Sequence, residues 1–150
     1  MKLAEALIER SDLQTRIDAM RERLMNNARV QEGEIPAEDP IALMRELDAM
    51  SARVEELIRR INLTTSATAV GDTTVTGLIA HRDCLAKRVN ILRNFLSAAS
   101  SLTQRASRTE IVVKSTVSVP DLQKQIDALS KELRETDTAI QAANWTTELI

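Results

Sequence analysis

Residues 43–61 read LMRELDAMSARVEELIRRI, and their apolar spacing decides the fold. Leu43, Leu47, Met50, Val54, Leu57 and Ile61 follow one another at alternating steps of four and three. Such steps average about 3.5 residues, close to one turn of an α-helix, and hold every apolar side chain on one narrow stripe. A stripe of that width suits a helix that meets its neighbours lengthwise, as coiled-coil helices do.

The pattern recurs on both sides. Leu3, Ala6, Leu13, Ile17, Met20 and Leu24 carry it first. Leu78, Leu85, Val89, Leu92, Leu96 and Ala99 carry it next, then Leu122, Ile126, Leu129, Leu133, Ile140 and Ala143. The string Leu13-Gln14-x-x-Ile17-Asp18-Ala19-Met20 returns as Leu122-Gln123-x-x-Ile126-Asp127-Ala128-Leu129. Convergent use of one good heptad explains this echo, and so does duplication. The spacing predicts helices over about 2–29, 40–62, 76–103 and 119–143.

Boundaries have chemical causes. Asp39-Pro40 supplies an N-cap and a proline at the first helical position, where no N–H is missed. Ser118 followed by Asp121 is a capping-box variant, and Thr76 is the expected cap of the third helix. Two stretches break the helical period. Residues 64–75 are rich in Thr around the Gly71-Asp72 turn signal, and 110–119 alternate through Ile111, Val113, Val117 and Val119. Short strands are expected at about 64–70 and 110–117. In an up-down bundle they would lie at opposite ends and pair with themselves or across a subunit boundary, since an open edge is a pairing template. The expected fold is mainly α: one domain, 1–150, of four long antiparallel amphipathic helices, bundle or coiled-coil-like, with one or two short β segments.

Composition agrees. One Phe, one Trp and no Tyr leave a core of Leu, Ile, Val, Met and Ala, and three Gly with three Pro allow few sharp turns. The net charge of −2 gives no general pull toward nucleic acid or anionic membrane. Cys84 is the single cysteine, so no intramolecular disulfide forms. Glu5 and Glu9 interrupt the apolar start, and no stretch approaches the roughly 18 apolar residues of a membrane span. A cytoplasmic protein that does not enter the membrane is expected.

Charge is unevenly placed. Between 76 and 109, Arg82, Lys87, Arg88, Arg93, Arg105 and Arg108 oppose Asp83 alone, whereas the flanking helices are acidic. Complementary charge between neighbouring helices accounts for this. A phosphate-binding stripe is the functional alternative, yet nucleic-acid binders show a larger basic excess and stacking aromatics. Nucleic acid is not the expected partner.

Chemical constellations are sparse. His81-x-x-Cys84 places two metal-capable side chains one turn apart, but zinc takes three or four ligands and no second His or Cys exists. Glu132, Glu135 and Asp137 read as a solvated face. No phosphate loop or nucleophile motif occurs. No catalytic residue, metal or cofactor is expected. One arrangement is more specific. Extending the seams puts Arg10 and Arg82 at core-facing positions at one end of an up-down bundle. Two near-copied helix ends arrive there, Asn62-Leu63-Thr64-Thr65 and Asn144-Trp145-Thr146-Thr147. The arginines would cap the last carbonyls, or, with Asn62, Thr64, Asn144 and Trp145, bind an anionic ligand.

Several strings carry a family likeness: MKLAEALIERSDLQTRI, VQEGEIPAEDP, INLTTSAT, SRTEI, LQKQIDALSKELRE and NWTTEL. They resemble the septicolysin-like family of small bacterial proteins along nearly the whole chain. The resemblance implies a cytolysin and assigns no functional residues. The residues themselves point to a non-enzymatic helical protein that forms a homo-oligomer or binds another protein. Alternatives are an anion or small-molecule binder, or an enzyme, at the Arg10/Arg82 end, and nucleic-acid binding along the third helix.

Overall fold

The computed structural model describes residues 1–101 and 112–150. The chain is mainly α, and its described residues form four long helices and a small two-stranded sheet. In order these are α1 (Leu3–Asn26), α2 (Pro40–Ala67), β1 (Ala69–Val70), β2 (Thr73–Thr74), α3 (Val75–Ser100) and α4 (Val119–Thr146). The described residues divide into two compact units, Met1–Ala69 with Ala143–Ile150, and Val70–Ala142.

The first unit is an antiparallel helix pair. Leu3, Ala6, Leu13 and Met20 of α1 pack with Leu43, Met50, Leu57 and Ile61 of α2, and Leu149 joins them. Burial of each such large side chain is worth about 1.5–3 kcal/mol. The heptad is occupied unevenly. Ala6, Leu13, Met20, Leu43, Met50 and Leu57, spaced by sevens on each helix, are buried, while Ile17, Leu24, Leu47 and Val54 are only half-buried. Cross-helix ion pairs fix the direction: Glu9–Arg53 at 2.7 Å, Arg16–Glu46 at 3.4 Å and Arg23–Glu46 at 3.6 Å, with Arg23 also held at 2.6 Å by Glu38 just before α2. Numbers rise along one helix as they fall along the other.

The connection between these helices is tied back by one buried amide. Asn27 donates from Nδ2 to the Arg23 carbonyl (2.8 Å) and accepts from the Glu38 N–H at Oδ1 (2.9 Å). As expected, Asp39 caps α2, accepting from the Ile41 N–H, with Pro40 at the first turn. Residues 147–150 lie beside the start of α1. Leu3 N–H donates to Thr147 O and Leu149 N–H donates to Met1 O, each at 2.9 Å.

Two expectations about strands are corrected. Thr64–Ala67 is helical: Thr64 and Thr65 are buried, Thr64 accepts from the Ile150 N–H, and the hydroxyls of Thr64, Thr65 and Ser66 are satisfied by the carbonyls of Arg60, Asn62 and Leu63. Tertiary burial here overrides the β preference of Thr. Only Ala69–Val70 and Thr73–Thr74 are extended, and they pair with each other around Gly71, whose φ of 62° suits glycine. Pairing within one chain removes this edge as a ground for assembly. Of the second expected strand, 110 and 111 lie outside the described residues, and 112–117 form a bend without strand pairing.

The second unit packs Val75, Leu85 and Val89 of α3 and Leu122, Ile126 and Ile140 of α4 into its interior. Thr74, not Thr76, caps α3, accepting from the Gly77 N–H at 3.2 Å. A Cβ at Gly77 would meet the Thr73 hydroxyl, which would have to turn away to admit it. Side chains tie α3 to α4: Arg93 donates to Ser130 Oγ at 3.1 Å, and Arg82 pairs with Asp137 at 3.7 Å. These two also run antiparallel.

Candidate functional site

A concavity lies on the outward side of α2. It is an open groove of about 750 Å³, lined by Ile17 of α1 and by Ser51, Ala52, Val54, Ile58 and Arg59 among others. It follows from the uneven heptad. The fully buried row faces α1, so the half-buried row opens sideways, and beside it Met44 (46% exposed) and Ile58 (37%) add apolar surface. This face escapes a seam-only reading of the sequence. Its signal is apolar Met44 and Ile58 two heptads apart, one position off the seam.

Charge along α2 is sorted. Glu46, Arg53, Glu56 and Arg60 all enter ion pairs within the first unit. The hydrogen bonds from Arg53 hold the carboxyls of Glu9 and Glu56 below the ordinary range, and Arg23 does the same to Glu38. Glu148 is lowered by Lys2 and the terminal ammonium. Arg45, Asp48, Glu55 and Arg59 form no ion pair or hydrogen bond among the described residues, and all four are exposed.

These features coincide with a shared family fold. A family model described as a family of unknown function (DUF6847) matches residues 10–149. The chain belongs to the DUF6847 family. It is similar to a functionally unknown conserved protein from Corynebacterium diphtheriae, known from its crystal structure, with 36% identity and a TM-score of 0.91. That likeness covers 100% of this chain and 99% of the other. No curated protein matches it.

In this DUF6847 chain the residues of the expected arginine site are distributed as follows. Arg10, Asn62, Thr64, Asn144 and Trp145 belong to the first unit, and no hydrogen bond joins any two of them. Arg10 is half-buried, and its Nε is buried with no hydrogen-bond partner among the described residues. Thr64 is fully buried and structural: its hydroxyl donates to Arg60 O (2.8 Å) and accepts from Ile150 N–H (3.0 Å). Asn144 is buried, whereas Asn62 and Trp145 are exposed. Arg82 belongs to the second unit, held by Asp83 at 2.9 Å and Asp137. The arginine that binds backbone here is instead Arg60, whose Nε donates to Ile150 O at 2.7 Å, while the last carbonyl of α4, Thr146 O, accepts from Lys2 Nζ at 3.2 Å. Seam extension alone could not single it out.

Of the basic residues in the expected stripe, Lys87, Arg88 and Arg93 of α3 are exposed, while Arg105 and Arg108 lie outside the described residues. His81 bonds Glu132 at 2.8 Å through Nε2, and Cys84 is an exposed free thiol. Among the described residues no group of three or more His, Cys, Asp or Glu could hold a metal, and no helix is long and apolar enough to cross a membrane.

Proposed function

We propose that this chain is a non-enzymatic self-association module whose outward α2 face docks a second copy. The observation that carries the reading is half-buried Val54 and exposed Ile58 lining a groove of about 750 Å³, with half-buried Leu47 and exposed Met44 further along α2. Packed coiled-coil helices usually bury both seam positions, so a row left half-covered is suited to a further helix. A homo-oligomer in the cytoplasm is the corresponding biological state. Light scattering during size exclusion, over a concentration series, tests it. A defined oligomeric mass supports the reading, and a monomer throughout overturns it.

A second reading is supported by Arg10. A guanidinium nitrogen buried without a partner is costly, and a small anion reaching it would relieve that cost. Inorganic phosphate or sulfate raising the melting temperature of the parent, but not of Arg10→Met, is the expected result. Binding of nucleic acid along Lys87, Arg88 and Arg93 would show steep salt dependence. The lysis implied by the septicolysin resemblance would show as leakage from loaded vesicles.

A further inference from the structure

The unpaired charges of α2 have a counterpart elsewhere in the chain. Arg45, Asp48, Ala52, Glu55 and Arg59 form one stripe at steps of three, four, three and four. Its signs read plus, minus, alanine, minus, plus. On α4, Asp121, Lys124, Ala128, Lys131 and Glu135 follow the same steps, with signs minus, plus, alanine, plus, minus. All ten residues are exposed. Alternating steps of three and four keep each set on one helix face, so each set is a straight row. The central alanine of each row lets two backbones approach.

We infer that the α2 stripe of one copy docks on the α4 stripe of a second copy. The inference rests on the self-association reading and names its contact. Sign order selects the pairing. Both rows are palindromic in charge, so α2 against a second α2 sets like charge on like charge in either direction, and α4 against α4 does the same. With the central alanines opposed, only α2 against α4 sets opposite charges face to face at all four charged positions, and it does so in either direction. Ala52, Glu55 and Arg59 also line the outward groove, which places the stripe along the apolar surface of Val54 and Ile58. The aliphatic stems of Lys124 and Lys131 cover such surface while their ammonium groups reach the carboxylates. Within the chain Lys131 lies 3.8 Å from Glu135, a loose pair of groups about two-thirds exposed that both remain open to a partner. Made twice about a two-fold axis, α2 on α4 and α4 on α2, the contact closes an isologous pair; made once per copy it is heterologous and continues as a ring or filament.

Sedimentation or light scattering of four proteins tests this: the parent, Arg45→Glu/Arg59→Glu, Asp121→Lys/Glu135→Lys, and the chain carrying all four changes. Circular dichroism melts confirm folding, which exposed positions should preserve. The parent associates, more weakly as salt rises from about 0.05 M to about 0.5 M, because exposed pairs are screened. Each double variant dissociates at least about tenfold more readily, an equimolar mixture of the two associates, and the quadruple variant regains self-association. If the parent associates but the double variants match it, or the quadruple variant stays monomeric, the stripe pairing is wrong and self-association uses another surface. A parent that is monomeric at every concentration overturns both.

Discussion

The two units use the same helix-forming pattern and hold their helices in different ways. In the first, α1 and α2 approach closely along their length over a seam of Leu, Met and Ile, and three cross-helix ion pairs bind the edges. In the second, α3 and α4 are bridged by longer side chains: Arg93 to Ser130, Arg82 to Asp137 and His81 to Glu132. The difference is already present in the seam residues. Leucine and methionine fill successive layers of the first unit. Arg82, Ser130 and Thr136 occupy or border the interior of the second, where a polar atom must find a partner: Thr136 finds it in the Glu132 carbonyl of its own helix, Ser130 and Arg82 in side chains of the other. A repeated heptad therefore specifies a helix, and the identity of its layer residues specifies how closely the next helix may come.

The largest expected effect is truncation of the first seam. Leu57 is fully buried in the closely packed seam of the first unit, so Leu57→Ala should cost about 3–5 kcal/mol. Ile126→Ala in the second unit should cost less, about 2–3 kcal/mol, because the looser packing there can relax. Chemical denaturation gives the sizes, and hydrogen exchange gives the location. Leu57→Ala should lower protection in α1 and α2 more than in α3. Equal loss in all helices would join the two units into one cooperative element and break the comparison.

Next in size is the loss of one hydroxyl. Thr64→Val keeps the shape of a fully buried side chain, removes a donor to Arg60 O and leaves the Ile150 N–H without its acceptor. A cost of about 1–2 kcal/mol is expected in denaturant melts, with faster exchange confined to the end of α2 and residues 147–150. The same residue marks the limit of what the sequence shows. The apolar periodicity of residues 43–61 makes α2 legible, but beyond Ile61 the run of Thr reads as a strand. Which way it folds depends on hydroxyl-to-carbonyl bonds and on a backbone N–H from position 150, and neither is a property of local pattern. The candidate site divides in the same way. Arg10 is conspicuous as a cation in an apolar row, whereas the outward face of α2 exists only because α1 covers one row of the seam and leaves the other half open.

Acid should act on the first unit. Glu9, Glu38, Glu56 and Glu148 all lie there, each lowered from the ordinary 4.5 by a hydrogen-bonded cation. A carboxyl lowered on folding contributes stability that is complete above its unfolded pKa and is lost as pH falls through its folded value. Melting temperature should therefore hold steady down to about pH 5 and decline below about pH 4.5. Exchange should quicken in α1 and α2 before α3. These groups are exposed, so each contributes little and added salt should flatten the decline. An acid transition that begins in α3 would reverse the assignment.

The smallest effect is expected at the polar bridge of the second unit. His81 and Glu132 are each half-exposed, so their 2.8 Å contact competes with water on both sides. A double-mutant cycle with His81→Ala and Glu132→Ala should give a coupling of about 0.2–1 kcal/mol, the range of exposed pairs. Because it joins α3 to α4 through side chains alone, the contact reports directly on how that unit is held. A coupling several times larger would mean that polar bridges, and not Val89, Leu122 and Ile126, are what keep the second pair of helices together.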